Sequence, residues 1–235
     1  MKIVAIVAAA GSGRRLGSRL SKPYLNLNNQ PLVSYSLCVL EQTKQVDQIV
    51  LVVEKRQLLR AKDIVRQFKI SKIRAIIKGG RTRSESVRYG LKCVDKDTDF
   101  VLIHDGARPF ITPGLVTDCI KAGTRHEAAI CAIPCSSTIK SVNKRQNVTA
   151  TLNRNTLWQV QTPQVFSYNL INRAYNRFFG KEKLFFDDAA LVERLPHKVK
   201  VIPGLYENIK ITTKEDLKIA QALLKCRDNE RTTKK

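Results

Sequence analysis

The chain has 235 residues, 43% of them hydrophobic, which suits one large domain with a sizeable core and excludes general disorder. Lys and Arg number 42 against 20 Asp and Glu, and the resulting formal charge of +22 predicts attraction to polyanions: nucleic acid, anionic membrane or phosphorylated small molecules. No stretch approaches the roughly 20 apolar residues of a membrane-spanning helix, and the run after Lys2 is short for a signal core and has no clear cleavage site.

Residues 3–8 read as a buried strand that ends in a glycine loop, Gly11-Ser12-Gly13-Arg14-Arg15-Leu16-Gly17. A helix is predicted over 31–42, with Pro31 as its first residue, then a strand over 48–53, a helix over 57–68 and a strand over 73–77. The pattern continues with a helix over 84–93, a strand over 100–103, a helix over 113–122 capped by Thr112, and a strand over 129–133. These strands are continuously apolar rather than alternating, which predicts cover on both faces. Between Cys135 and Gln161 the rhythm breaks: β-branched and polar residues flank a charged turn over 143–147, which predicts a projecting β-hairpin arm. Such an arm buries little by itself, so packing on a second copy is expected. Helices over 168–179 and 187–195, a strand over 199–202 and a helix over 214–224 follow, the last with a capping box from Thr213 to Asp216. The tail over 225–235 reads as charged and frayed. The alternation predicts an α/β sandwich around a mainly parallel sheet, one domain over 1–235 with an arm at about 135–161.

The first glycine loop suits close approach to phosphate, although its spacing is neither a dinucleotide fingerprint nor a P-loop. Residues 1–40 carry five basic side chains and no acidic one, and Arg15 and Lys22 flank the position a triphosphate would take. A second loop, Gly79-Gly80-Arg81-Thr82-Arg83-Ser84-Glu85-Ser86, leaves room for a flat base beside Ser86, or is an ordinary strand-to-helix turn. His104-Asp105-Gly106-Ala107-Arg108-Pro109 places an acid at a strand's carboxyl end, where it would hold a metal or a substrate hydroxyl, or pair with Arg108 structurally. Cys131 and Cys135 with His126 lack a second ligand pair for zinc; the six cysteines read as reduced core thiols of a cytoplasmic protein.

In combination and order, these blocks resemble the 2-C-methyl-D-erythritol 4-phosphate cytidylyltransferases of the non-mevalonate isoprenoid pathway along essentially the whole chain. The match is carried by Ala9-Ala10-Gly11-Ser12-Gly13 through Gly17, Lys22 with Tyr24-Leu25, and Gly79-Gly80 through Ser86-Val87. It continues in His104 through Pro109, Leu157-Trp158 through Gln164, and Asn208-Ile209-Lys210-Ile211-Thr212. The resemblance implies a Rossmann-like nucleotidyltransferase fold and transfer of CMP from CTP to methylerythritol phosphate, with Mg²⁺ and release of pyrophosphate. By the family's pattern, Arg15 and Lys22 stabilise the pentacoordinate phosphorus, and Arg154 and Lys210 position the acceptor phosphate. Ala9, Ala10, Gly11, Gly13, Gly80 and Ser86 would hold CTP. Asp105, Arg108, Thr138 and Thr162 would line the acceptor site, with Asp105 as a metal ligand if the ion does not act mainly through substrate phosphates. Homodimerisation through the arm is implied, with Arg154 or Thr138 acting across it, and neither a specific nucleic acid nor a membrane is an expected partner.

Four positions depart from the family's pattern: Ser21-Lys22-Pro23 before the aromatic, Ser137 before Thr138, Phe186 ahead of Asp187-Asp188, and Gly106 where alanine is commoner. A ribitol-5-phosphate cytidylyltransferase is the nearest alternative. A basic nucleic-acid-binding protein is a distant one, disfavoured by only 6% aromatic residues and by cations placed at strand-end loops.

Overall fold

A computed structural model describes residues 1–11, 22–178, 180 and 185–233. The chain starts with β1 (Ile3–Ala9), a short hairpin of β2 (Asn26–Leu27) and β3 (Gln30–Pro31), and α1 (Leu32–Gln42). Next come β4 (Gln48–Val53), α2 (Leu58–Gln67), β5 (Ile73–Lys78), α3 (Arg83–Leu91), β6 (Phe100–Asp105) and α4 (Pro113–His126). After β7 (Ala128–Pro134) stands a separate hairpin, β8 (Ile139–Val142) with β9 (Val148–Leu152), and then β10 (Trp158–Ser167). The chain finishes with α5 (Tyr168–Arg177), α6 (Ala189–Glu193), β11 (Lys200–Pro203) and α7 (Lys214–Thr233).

One seven-stranded sheet runs in the order β11-β7-β10-β6-β1-β4-β5, and within it β10 alone is antiparallel to its neighbours. The apolar runs have the predicted cause. In β1, Ile3, Ala5, Val7 and Ala9 face the layer of α1, α2 and α4, while Val4 and Ile6 face the layer of α3, α5 and α6. Both sets are fully buried. A third, smaller cluster seats α7 on Leu27, Leu32 and Phe110.

Thr112 caps α4 by accepting from the Leu115 amide at 3.2 Å. The Thr213–Asp216 box closes in both directions, Asp216 N to Thr213 Oγ1 at 3.2 Å and Thr213 N to Asp216 Oδ2 at 2.9 Å. The arm is a hairpin, its turn organised by Asn143 Oδ1, which accepts from the Arg145 and Asn147 amides.

Three expectations need correction. Residues 158–161 belong to the central sheet as the start of β10, so the hairpin proper ends near Leu152. Pro31 is an extended cap residue pairing with Asn26, and α1 begins at Leu32. The expected frayed tail is helical through Thr233: its charged residues are compatible with a helix, and Arg227 anchors it by pairing with Glu207 at 2.6 Å and lying over the Phe110 ring. All six cysteines are free, but only Cys119, Cys131 and Cys135 are buried, and Cys226 is exposed on α7.

Candidate active site

The carboxyl ends of β1, β5 and β6 meet closely. A Cβ on Gly79 would lie 2.4 Å from Ala10 Cβ, so the second glycine loop reaches the end of the β1 segment only because this position lacks a side chain. A Cβ on Gly106 would lie 3.0 Å from Ala9 Cβ, which brings the Asp105 loop against the same strand end. The second loop is closed by its own bonds. Ser86 Oγ accepts from the Gly80 amide at 3.0 Å and donates to Thr82 O at 2.9 Å, while Thr82 caps α3. The Ser86 hydroxyl is therefore buried in loop closure rather than pointing freely at a base edge.

Asp105 ends β6 and is the hub of a charged cluster. Its Oδ1 faces Arg83 Nε at 2.7 Å, its Oδ2 faces Lys210 Nζ at 2.6 Å, and Arg108 Nε lies 3.8 Å from Oδ2. Burial would raise this carboxyl, but the charges of Arg83, Lys210 and Arg108 outweigh it and hold the group far below the ordinary carboxylate range. Thr162 Oγ1 accepts from the Asp105 amide at 3.0 Å and lies 3.1 Å from His104 Nδ1. His104 is fully buried, with Nε2 3.3 Å from Ser36 Oγ, and burial lowers it to about 4, so it is neutral near pH 7.

Thr162 reaches this point because β10 shifts register on β7 between Val160 and Gln164, which turns Gln161 and Thr162 towards the site. The Asn208–Lys210 segment is fixed by the same bulge. Asn208 Nδ2 donates to Gln161 Oε1 at 3.2 Å and to Thr162 O at 2.9 Å, and its carbonyl accepts from Arg108 Nη1 at 2.7 Å. Ile211 N bonds Ala107 O at 2.9 Å, which docks the Lys210 segment on the loop after β6.

The structure thus joins Asp105, Arg108, Thr162 and Lys210, and places Ala9, Ala10, Gly11, Gly80 and Ser86 along the adjoining loops. Arg154 and Thr138 stand apart on the arm, both exposed, with Arg154 Nη1 bonded to Ser136 O at 2.9 Å. Gly13 and Arg15 lie outside the described residues, and of Lys22 only the backbone is described. Lys22 opens a 3-10 turn, Lys22–Tyr24, anchored by the buried Tyr24, whose carbonyl accepts from Arg60 Nη2 at 3.0 Å.

Asp105 does not fit a metal ligand. Its oxygens face Arg83 and Lys210, with Arg108 behind, and a divalent cation there would meet three positive charges. Among the described residues, no group of three His, Cys, Asp or Glu side chains is placed to hold a metal ion.

Sequence reasoning missed Arg83 and Asp188. Arg83 Nη1 lies 2.7 Å from Asp188 Oδ2, and Asp188 Oδ1 accepts from the Tyr175 hydroxyl at 2.5 Å. Two cations in the Arg81-Thr82-Arg83 turn and the acid pair Asp187-Asp188 were the available signals, and neither says which partner it meets. Phe186, a departure from the family pattern, is fully exposed.

Comparison with known proteins decides the family. The model of the family "2-C-methyl-D-erythritol 4-phosphate cytidylyltransferase" matches residues 3–226. The chain belongs to that family. A cytidylyltransferase of this name from Syntrophus aciditrophicus is 44% identical over 95% of this chain and 96% of its own. One from Alkaliphilus metalliredigens is 41% identical over 95% of this chain and 93% of its own. The crystal structure of a 4-diphosphocytidyl-2C-methyl-D-erythritol synthase from Anaerococcus prevotii superposes with a TM-score of 0.85 at 35% identity, covering 95% of this chain and 96% of that one. As a member of the methylerythritol phosphate cytidylyltransferase family, the chain carries the α/β nucleotidyltransferase fold, mainly parallel as predicted.

Proposed function

We propose that this protein transfers CMP from CTP to 2-C-methyl-D-erythritol 4-phosphate, giving 4-diphosphocytidyl-2-C-methyl-D-erythritol and pyrophosphate. The observation that carries the reading is the Asp105–Arg108–Thr162–Lys210 cluster beside the close approach of Gly79 to Ala10, in a chain matched to the family over residues 3–226. An oxygen of the acceptor phosphate attacks the α-phosphorus of CTP, forming one P–O bond. The bond from that phosphorus to the bridging oxygen breaks, and pyrophosphate leaves with the electron pair.

The attacking phosphate is already an anion, so no strong general base is needed; the neutral, buried His104 serves structure instead. Cytidine lies against the backbone of Ala9, Ala10 and Gly11 and the Gly80–Ser86 turn, Arg15 and Lys22 stabilise the pentacoordinate phosphorus by offsetting the negative charge on its oxygens, and Lys210 and Arg154 orient the acceptor phosphate. Asp105 offers its carboxylate to acceptor hydroxyls while holding Lys210 in place; Thr162 holds the Asp105 backbone and, with Arg108 beside the carboxylate, lines the acceptor site. Thr138 on the arm completes the acceptor site. Mg²⁺ enters as part of the nucleotide substrate, its complex with CTP, rather than on Asp105.

The same reading places the enzyme in the cytoplasm as a homodimer, with the arm reaching a second copy. Lys210→Ala is expected to lower kcat/KM for the acceptor about a hundredfold with little change in KM for CTP. A large rise in KM for CTP would contradict the assignment.

A further inference from the structure

Arg83 stands at the first residue of α3, within the turn that closes around Gly80 and Ser86, yet its side chain leaves that turn. Its guanidinium spans two carboxylates, Nε to Asp105 Oδ1 and Nη1 to Asp188 Oδ2, both at 2.7 Å. Asp188 is fully buried and held in turn by the buried Tyr175 hydroxyl at 2.5 Å. The result is a chain of contacts, Tyr175–Asp188–Arg83–Asp105–Lys210, that ties α5 and α6 to the ends of β6 and of the Lys210 segment. The Nε contact is a hydrogen bond and the Nη1 contact an ion pair; a planar guanidinium can face two carboxylates at once in this way, which a lysine ammonium on a flexible stem does not do.

We propose that Arg83 is a positioning residue that fixes the Asp105 carboxylate relative to the nucleotide-side loop. It orients the oxygen not taken by Lys210 and leaves Lys210 on the other, so that the acceptor meets a preset carboxylate and ammonium. This rests on the transfer reading above. Arg83 touches neither reacting phosphate; it acts through Asp105.

The arrangement gives the fully buried Asp188 its cation, supplied by a half-buried arginine. Asp188 without Arg83 would be a buried carboxylate short of its cation, so Arg83→Met alone tests folding as much as function. The informative comparison therefore removes both, Arg83→Met with Asp188→Asn, in the otherwise intact chain. Steady-state pyrophosphate release is measured with CTP and methylerythritol phosphate, in wild-type and Asp105→Asn backgrounds. In the wild-type background, kcat/KM for the acceptor falls about tenfold or more, while KM for CTP stays within roughly twofold. In the Asp105→Asn background the same pair costs less than about twofold, because the residue it positions is gone.

Additive losses in the two backgrounds, or a rise in KM for CTP of more than about twofold, would overturn the proposal and leave Arg83 as a fold element only. If the paired variant does not fold, Arg83→Lys carries the same comparison, since a lysine keeps a positive charge but cannot bridge both carboxylates. Wild-type protein that releases no pyrophosphate with the acceptor overturns the transfer reading itself, and the role of Arg83 with it.

Discussion

Asp105 and His104 are neighbours with opposite demands. Asp105 is held ionised by three cations, whereas the fully buried His104 is held neutral, its ring between Thr162 and Ser36. Burial lowers His104 from 6.5 to about 4, so protonation is easier in the unfolded chain than in the fold. The stability from the neutral ring is therefore complete above pH 6.5 and is lost as pH falls towards 4, by about 3 kcal/mol in all. Urea unfolding at a series of pH values should show this loss, and His104→Gln should remove that component; an unchanged slope in the variant would contradict it. At this scale the sequence reveals types better than partners. Asp105, Arg108 and Lys210 stand out within family motifs, but nothing in one sequence says that Arg83 crosses to Asp105 or that Asp188 takes its other nitrogen. Those pairings depend on how α3, α5 and α6 pack on the sheet.

The elements were legible wherever local signals agree with tertiary demand. Apolar runs mark β1, β4 and β6, and Thr112 and Thr213 mark helix starts that their side chains cap. β10 was hidden for a physical reason. Its Gln161, Thr162 and Gln164 are buried polar residues whose bonds run to Leu205, His104 and Asp187, and Pro163 sits in the register shift. Polar residues and a proline at core positions break the strand pattern because they serve the site. The loops impose the reverse constraint, since a Cβ on Gly79 would meet Ala10 Cβ at 2.4 Å, Ser86 Oγ at 2.8 Å and Val52 Cγ1 at 3.3 Å. Gly79→Ala should push the second loop away from Ala10, costing about 1–3 kcal/mol by thermal unfolding and raising KM for CTP. Unchanged stability and CTP binding would show that the close approach is not required.

Across the molecule, exposed apolar residues gather on the arm and on the start of β10: Val142, Val148, Leu152, Trp158 and Val160 are each at least 39% exposed. Such a surface on a thin hairpin suits cover by a second copy, and the same arm carries Arg154 and Thr138. Sedimentation velocity should find a dimer, and Val148→Asp with Trp158→Ser should give monomers with much lower transfer activity; a fully active monomer would contradict the arm's role. The charge of +22 favours anionic substrates and also nonspecific polyanion binding, which added salt should weaken.

The roles of the site residues all depend on the reaction and its acceptor. The most direct test is pyrophosphate release by the purified protein with CTP and Mg²⁺, methylerythritol phosphate and ribitol 5-phosphate being supplied in separate reactions. Release that depends on methylerythritol phosphate and is lost in Lys22→Ala is the predicted result. Release with ribitol 5-phosphate alone would keep the chemistry and overturn the acceptor, and no release with either would contradict the account.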